Sequence, residues 1–195
     1  MLAAYLPLGP HSGQSDSAVT DERVGSPSSP SVTPAIGATV TDENLTARRR
    51  IDAPPRTVFA LLADPANHAA IDGTGWVRGP LKEGARITAE GEVFDMAMHH
   101  PQHPDGDYEI ANRVVTFEPP TAIEWEPGYY VEGGQRDSGR WTWRYDLAEV
   151  DGQTEVTLTY DWSNATPEAR ERFQFPPFGV DKLTESLDNL ATLTT

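Results

Sequence analysis

The stretch 139–162, GRWTWRYDLAEVDGQTEVTLTYDW, decides the fold. Trp141, Trp143, Tyr145 and Leu147 alternate with Arg140, Thr142, Arg144 and Asp146. After Asp151-Gly152, Val156, Leu158, Tyr160 and Trp162 alternate with Thr157, Thr159 and Asp161. A period of two marks strands with one buried face. An Asp-Gly pair between two such runs turns the chain back on itself. Residues 139–148 and 153–162 are therefore two antiparallel strands whose apolar face is unusually rich in rings.

Working toward the N-terminus, further strands read at roughly 75–79, 86–99, 109–118 and 121–126, divided by Pro104-Asp105-Gly106 and Pro119-Pro120. Consecutive strands with short connections form an antiparallel meander rather than a parallel sheet. Phe94, Met96 and Met98 fall on one face of 86–99, and Ile123 and Trp125 on one face of 121–126. Before the meander, 39–51 reads as a strand and Asp52-Ala53-Pro54-Pro55 opens a helix carrying Val58, Phe59, Leu61 and Leu62. Asp64-Pro65 opens a second short helix to Ile71, ended by Gly73 and Gly75. After the meander, Thr166-Pro167 caps a helix running to 194 with a break at Pro176-Pro177. Its last part sets Leu183, Leu187, Leu190 and Leu193 on one stripe, which must lie on the sheet. The expected fold class is α+β: a curved antiparallel sheet of six to seven strands, two short helices, and a long C-terminal helix over a cavity.

Composition narrows the function. The 195 residues hold 15 basic against 30 acidic side chains, a net charge of −15, and no cysteine. Disulfides, thiolate metal sites and a cysteine nucleophile are excluded. The acidic balance opposes nucleic-acid binding, which needs clustered Lys and Arg to displace counterions, and opposes anionic membrane surfaces. No apolar run reaches the roughly 20 residues of a membrane span.

Residues 1–37 are rich in Ser, Pro and Gly and show no period. Such a segment buries too little apolar surface to offset its ordering entropy, so a disordered tail is expected there, followed by one domain over 38–195. Its removal is expected to leave the thermal midpoint nearly unchanged. The opening MLAAYLPL lacks a basic start and is interrupted by Pro7, so no export signal is expected and the location reads as cytoplasmic.

Several strings narrow the fold further. Ile51-Asp52-Ala53-Pro54-Pro55-Arg56-Thr57-Val58-Phe59-Ala60-Leu61-Leu62-Ala63-Asp64-Pro65 resembles the I-x-A-P-x-x-x-V-F-x-x-L-x-D-P start of the polyketide cyclase/dehydrase family. Gly84 to Met98, Asp107 through Trp125, and Thr154 through Ser163 are similar to its bacterial members. The element order resembles the helix-grip fold of the START-like superfamily (SRPBCC), over about residues 40–194. That resemblance implies an apolar-ligand cavity between the sheet and the C-terminal helix. Members of the superfamily include cyclases, lipid carriers, hormone receptors and chaperone co-factors, so the fold alone names no reaction.

Bulky rings and flexible Met side chains on one face suit a cavity better than a dense aliphatic core. The expected ligand-binding residues are Phe94, Met96, Met98, Trp125, Trp141, Trp143, Tyr145, Tyr160, Trp162, Leu183 and Leu187. The expected partner is a small apolar ligand or substrate, with no cofactor and no nucleic acid; a monomer or a homodimer fits equally.

Catalytic candidates are few: His100 in phase with Met96 and Met98, Tyr130 beside Tyr129, and Arg140 near Arg136. His99, His100 and His103 are close in sequence, and Asp95 shares the strand. Neighbours on a strand face opposite ways and Pro101 and Pro104 indicate a loop, so no metal is expected. Glu124 and Glu126 are expected to face solvent if Ile123 and Trp125 face in; the opposite phase would pair two carboxylates in the cavity. No phosphate loop, dinucleotide fingerprint or nucleophile elbow occurs. Asn44-Leu45-Thr46 and Asn164-Ala165-Thr166 match a glycosylation pattern, with nothing else to indicate secretion.

Three functions compete. The leading one is a carrier or binding protein that encloses an apolar molecule. The second is a cofactor-free cyclase/dehydratase, which needs an acid or base inside. The third is a protein-interaction module of the chaperone-activator type, which needs an exposed apolar patch.

Overall fold

Strand alternation and proline-marked helix starts together set the element order seen in the computed structural model, which describes residues 37–194. Of the expected disordered tail over 1–37, residues 1–36 lie outside the described residues, while Gly37 opens the first strand. The strands of the main sheet are β1 (Gly37–Val40), β2 (Asn44–Ile51), β3 (Val77–Pro80), β4 (Val93–His99), β5 (Asp107–Glu118), β6 (Ala122–Glu126), β9 (Thr142–Val150) and β10 (Gln153–Asp161). Between β6 and β9, β7 (Tyr129–Tyr130) and β8 (Arg136–Asp137) form a small separate hairpin. The main sheet has eight strands in the order β1-β2-β10-β9-β6-β5-β4-β3, and every pairing in it is antiparallel. Helices α1 (Pro55–Leu62) and α2 (His68–Ile71) follow β2, while α3 (Pro167–Arg172) and α4 (Asp181–Thr192) follow β10. This is the helix-grip α+β architecture.

Four local readings differ from the structure. The single strand at 39–51 is a hairpin, β1 and β2, because Thr41 closes a turn by accepting the Glu43 and Asn44 amides on its hydroxyl. That split carries the sheet from seven strands to eight. The strand at 86–99 begins only at Val93, since Gly84 and Gly91 take positive φ angles of 71° and 85° that break an extended run. Ile87, buried in the loop before it, donates its amide to the Ala63 carbonyl. The C-terminal helical stretch breaks over 173–180 rather than at two prolines only, leaving α3 and α4 as separate pieces. Leu193 lies past the end of α4 and is 39% exposed, so the packed stripe is Leu183, Leu187 and Leu190.

The capping chemistry reads as expected. Pro54 and Pro55 start α1 where the missing amides are not needed. Asp64 accepts the Ala66 amide, and Thr166 accepts the Ala169 amide ahead of Pro167. The α4 stripe packs against β2 and β10, where Leu45, Ala47, Val156 and Leu158 are fully buried. Burying each of these leucines contributes about 1.5–3 kcal/mol.

Candidate functional site

Beside the leucine stripe of α4, the same face of the sheet bounds a cavity of about 670 Å³. Its floor follows from strand register. Trp125 of β6 is paired with Trp143 of β9, and Trp143 with Tyr160 of β10, which lays three rings side by side across three strands. Met96 and Met98 on β4 and Tyr108, Ile110 and Asn112 on β5 extend the floor toward the opposite edge.

The roof is the segment 173–180, FQFPPFGV, between α3 and α4. Pro176 and Pro177 have no amide hydrogen and cannot continue a helix. The strap places Phe173 and Phe175 at 5.4 and 5.5 Å from Trp141, and Phe178 at 5.5 Å from Trp143 and 5.0 Å from Tyr160. Ring pairs at such separations add about 0.5–1.5 kcal/mol each beyond their buried area. The strap is therefore held by the rings it covers.

One side wall is the loop 72–77. Asp72 accepts the amides of Thr74, Trp76 and Val77 at 2.8–2.9 Å and the Thr74 hydroxyl at 2.7 Å, which fixes Trp76 on the wall. Gly73 is required there: a Cβ would fall 2.4 Å from the Lys182 carbonyl. Its amide donates to Ser186 Oγ at 2.9 Å, so α4 docks on this loop and puts Ser186 on the cavity wall.

The other wall is the β7–β8 hairpin, anchored by a buried ion cluster. Arg136 donates from Nε to the Ala111 carbonyl at 2.8 Å, from Nη1 to Glu126 at 3.0 Å, and from Nη2 to the Glu126 carbonyl. Burial would raise the Glu126 pKa, but hydrogen bonds from Ser138 and Arg136 and the charges of Arg113 and Arg136 hold it below its usual value. Tyr130 Oη donates to Asp95 across the rim at 3.2 Å.

The phenols inside are neutral. Burial raises Tyr108 to about 12, helped by Asp72, and raises Tyr145 and Tyr160 further, so all three phenols keep their protons. Burial lowers His68. Its Nε2–H donates to the Leu62 carbonyl at 2.8 Å and its ring stacks on Trp125 at 5.1 Å, so Nδ1 carries a lone pair. Burial and the neighbouring His103 and His99 lower His100, whose Nδ1 accepts the Gln102 amide at 3.1 Å. The rim is acidic, with Asp107, Glu109 and Glu132 against Arg172. Such a site favours uncharged, ring-bearing molecules.

Of the sequence-derived ligand residues, Met96, Met98, Trp125, Trp141, Trp143, Tyr145 and Tyr160 lie on this wall. Phe94, Trp162, Leu183 and Leu187 are buried behind it: Phe94 against His68 and Trp125, Trp162 against Phe175, and the leucines on β2 and β10. The helix turns Ser186, not its leucines, to the cavity. His100 and Tyr130 reach the wall, whereas Arg140 is exposed and away from it. His99 points to Asp107 at 2.8 Å, while His103 stacks on Tyr108. Among the described residues no three His, Asp or Glu side chains converge as metal ligands. Glu124 and Glu126 lie off the cavity but do not both face solvent as expected: Glu126 is buried at 8% exposure against Arg113 and Arg136, and Arg144 bonds Glu124 at 3.2 Å.

Asn112, His68, Asp72 and the strap phenylalanines escaped the sequence reading. For Asn112 a signal exists: it interrupts the alternating row Tyr108, Ile110, Val114. The strap follows from Phe173, Phe175 and Phe178 around two prolines, a pattern too apolar for a solvated break.

Comparison with known proteins agrees with this fold. The profile of the family described as "Polyketide cyclase / dehydrase and lipid transport" matches residues 42–194. Uncharacterized proteins from two strains of Mycobacterium tuberculosis are each 31% identical over 115 residues, 59% of this chain and 46% of theirs. The chain thus spans about half the length of the curated relatives it matches. A Mycobacterium smegmatis crystal structure aligns over 82% of this chain and 95% of its own, with TM-score 0.56 and 17% identity. One from Rhodobacter sphaeroides aligns over 83% and 97%, with TM-score 0.56 and 23% identity. At these identities the likeness shows a shared fold. Among the described residues, no helix is long and apolar enough to cross a membrane.

Proposed function

This chain belongs to the polyketide cyclase / dehydrase and lipid transport family, and from that premise we propose that it binds a small, largely apolar molecule in the cavity, as a carrier or binding protein. The observation that carries this reading is the cavity itself: about 670 Å³ between the Trp125–Trp143–Tyr160 row and the phenylalanine strap, with neutral phenols within. That volume lies in the range of small-molecule sites, about 300–1,000 Å³.

Titration of the full chain with the uncharged probe N-phenylnaphthylamine tests it. The expected result is one saturable site per chain with quenching of tryptophan emission. Trp143→Ala should weaken binding about tenfold or more, by loss of a ring contact and its burial, while the outward Thr142→Ala stays within about twofold. Exclusion of the probe from the wild type, with Trp143→Ala costing about 3–5 kcal/mol of stability, would mean a filled core and end this reading.

A cyclase/dehydratase reading has one observation in its favour. The His68 imidazole is neutral, fixed by its bond to Leu62, and carries its lone pair on Nδ1 at the cavity wall. A buried neutral imidazole is a competent base for a proton next to a carbonyl. Small molecules that co-purify from the native host with wild type and with His68→Gln separate the readings by mass spectrometry. The same molecule in both marks carriage; a product in the wild type and its hydrated precursor in the variant mark dehydration.

A further inference from the structure

Along β5 the inward side chains run Tyr108, Ile110, Asn112, Val114. Asn112 stands opposite Phe94 of β4, is 2% exposed, and lies on the cavity wall. Its Oδ1 is buried and has no hydrogen-bond partner among the described residues. Several other interior polar groups are provided for: Asp72 by the 72–77 loop, His68 Nε2 by Leu62, and Ser186 by Lys182 and Gly73. His103 Nδ1 is likewise buried without a hydrogen-bond partner among the described residues, but in a ring stacked on Tyr108. Buried side-chain acceptors are paired in the large majority of cases, because leaving one unpaired forfeits its hydration with nothing in return. An apolar residue of similar size would fill the position without that cost, so an amide there is matched to a donor that arrives from the cavity.

We propose that Asn112 is the polar subsite of the cavity, accepting on Oδ1 a hydrogen bond from the hydroxyl of an uncharged, ring-bearing ligand. The inference rests on the ligand-binding reading above and adds the ligand's chemistry: a phenol or alcohol rather than a hydrocarbon, an ether or a carboxylate. The carboxylate is disfavoured on separate grounds. Arg172, the last residue of α3, is the one lysine or arginine on the wall among the described residues, and Asp107, Glu109 and Glu132 stand around the rim.

Displacement of N-phenylnaphthylamine from the full chain by naphthalene, naphthol, its methyl ether and naphthoate tests the subsite. Naphthol should bind about tenfold more tightly than the ether, which has the same rings and no donor, and naphthoate should bind least. Asn112→Leu should erase the preference for naphthol while leaving naphthalene within about twofold, with a thermal midpoint equal to or above the wild type's. If that variant does not fold, Asn112→Ala should erase the same preference. Equal affinity for naphthol and its ether, tighter binding of the ether, or a preference that survives substitution at Asn112 would overturn the proposal. Failure of every ring compound to displace or bind would overturn the ligand-binding reading itself, a result distinct from equal binding.

Discussion

The two ends of the inner sheet face are built by the same alternation and close in opposite ways. Over β2 and β10, Leu45, Ala47, Val156 and Leu158 meet Leu183, Leu187 and Leu190 of α4, none more than 1% exposed. Over β4, β5, β6 and β9, Met96, Tyr108, Trp125, Trp143 and Tyr145 line, with a strap of phenylalanines, a cavity of about 670 Å³. Branched aliphatic side chains interdigitate to crystal-like density. Planar rings instead tile a surface, meet edge to face, and stand off from the layer above. The difference teaches that one end of the face supplies stability and the other supplies a site.

The largest effect expected from that division is on folding. Leu187→Ala should lower stability by about 2–5 kcal/mol in denaturant unfolding, whereas Trp143→Ala, only partly buried and facing the cavity, should lose less. Equal losses would break the comparison. Next comes the strap. Phe178→Ala should weaken N-phenylnaphthylamine about tenfold while costing about 1–2 kcal/mol of stability, because the ring packs on Trp143 and Tyr160 at the cavity rather than in the aliphatic core. Unchanged affinity would show that the strap is not part of the site.

The third effect is one of pH. Burial lowers the His68 pKa in the folded chain below its ordinary value of about 6.5. As pH falls through that value the unfolded chain takes up a proton that the buried ring refuses. The unfolded state then binds more protons, so stability is fully present above about pH 6.5 and declines as pH falls toward the folded pKa. The slope is at most about 1.4 kcal/mol per pH unit for one proton. Unfolding midpoints from pH 8 to 5 should show His68→Gln with a flatter profile than the wild type and Leu187→Ala with the wild-type slope. A His68→Gln profile as steep as the wild type's would mean that the ring is protonated alike in both states.

The smallest effect lies at the seam of the two regions. Ser186 joins α4 to Gly73 by accepting its amide at 2.9 Å, so Ser186→Ala should cost about 1 kcal/mol by unfolding. A larger shift in probe affinity than in stability would place Ser186 with the site rather than with the seam.

Much of this molecule follows from local pattern. The inward phase of Trp141 through Leu147 and of Val156 through Trp162, the proline-led helix starts and the Asp151-Gly152 turn are decided within a few residues, because side-chain direction repeats every two positions in a strand and capping acts within one helical turn. The exceptions have local causes too: Thr41 and Gly91 redirect the backbone inside runs whose average composition still reads as strand.

What lies beyond pattern is how far apart two apolar faces end up. Periodicity placed Leu183 and Leu187 on a stripe, but only the docking of α4 on β2, permitted by the bare backbone of Gly73, decided that they fill the core while Ser186 meets the cavity. It placed Glu126 on the outer face, but not beneath Arg113 and Arg136, which come from β5 and from the far side of a hairpin. It set Asn112 in an apolar row without saying that its carbonyl oxygen would find no donor among the described residues. The sequence by itself determines which way each side chain faces, since that depends on backbone geometry a few residues long. Whether opposing faces touch or stand apart, and which polar atoms are left over, depends on volumes and partners contributed by segments more than a hundred residues away, and only the tertiary structure brings those together.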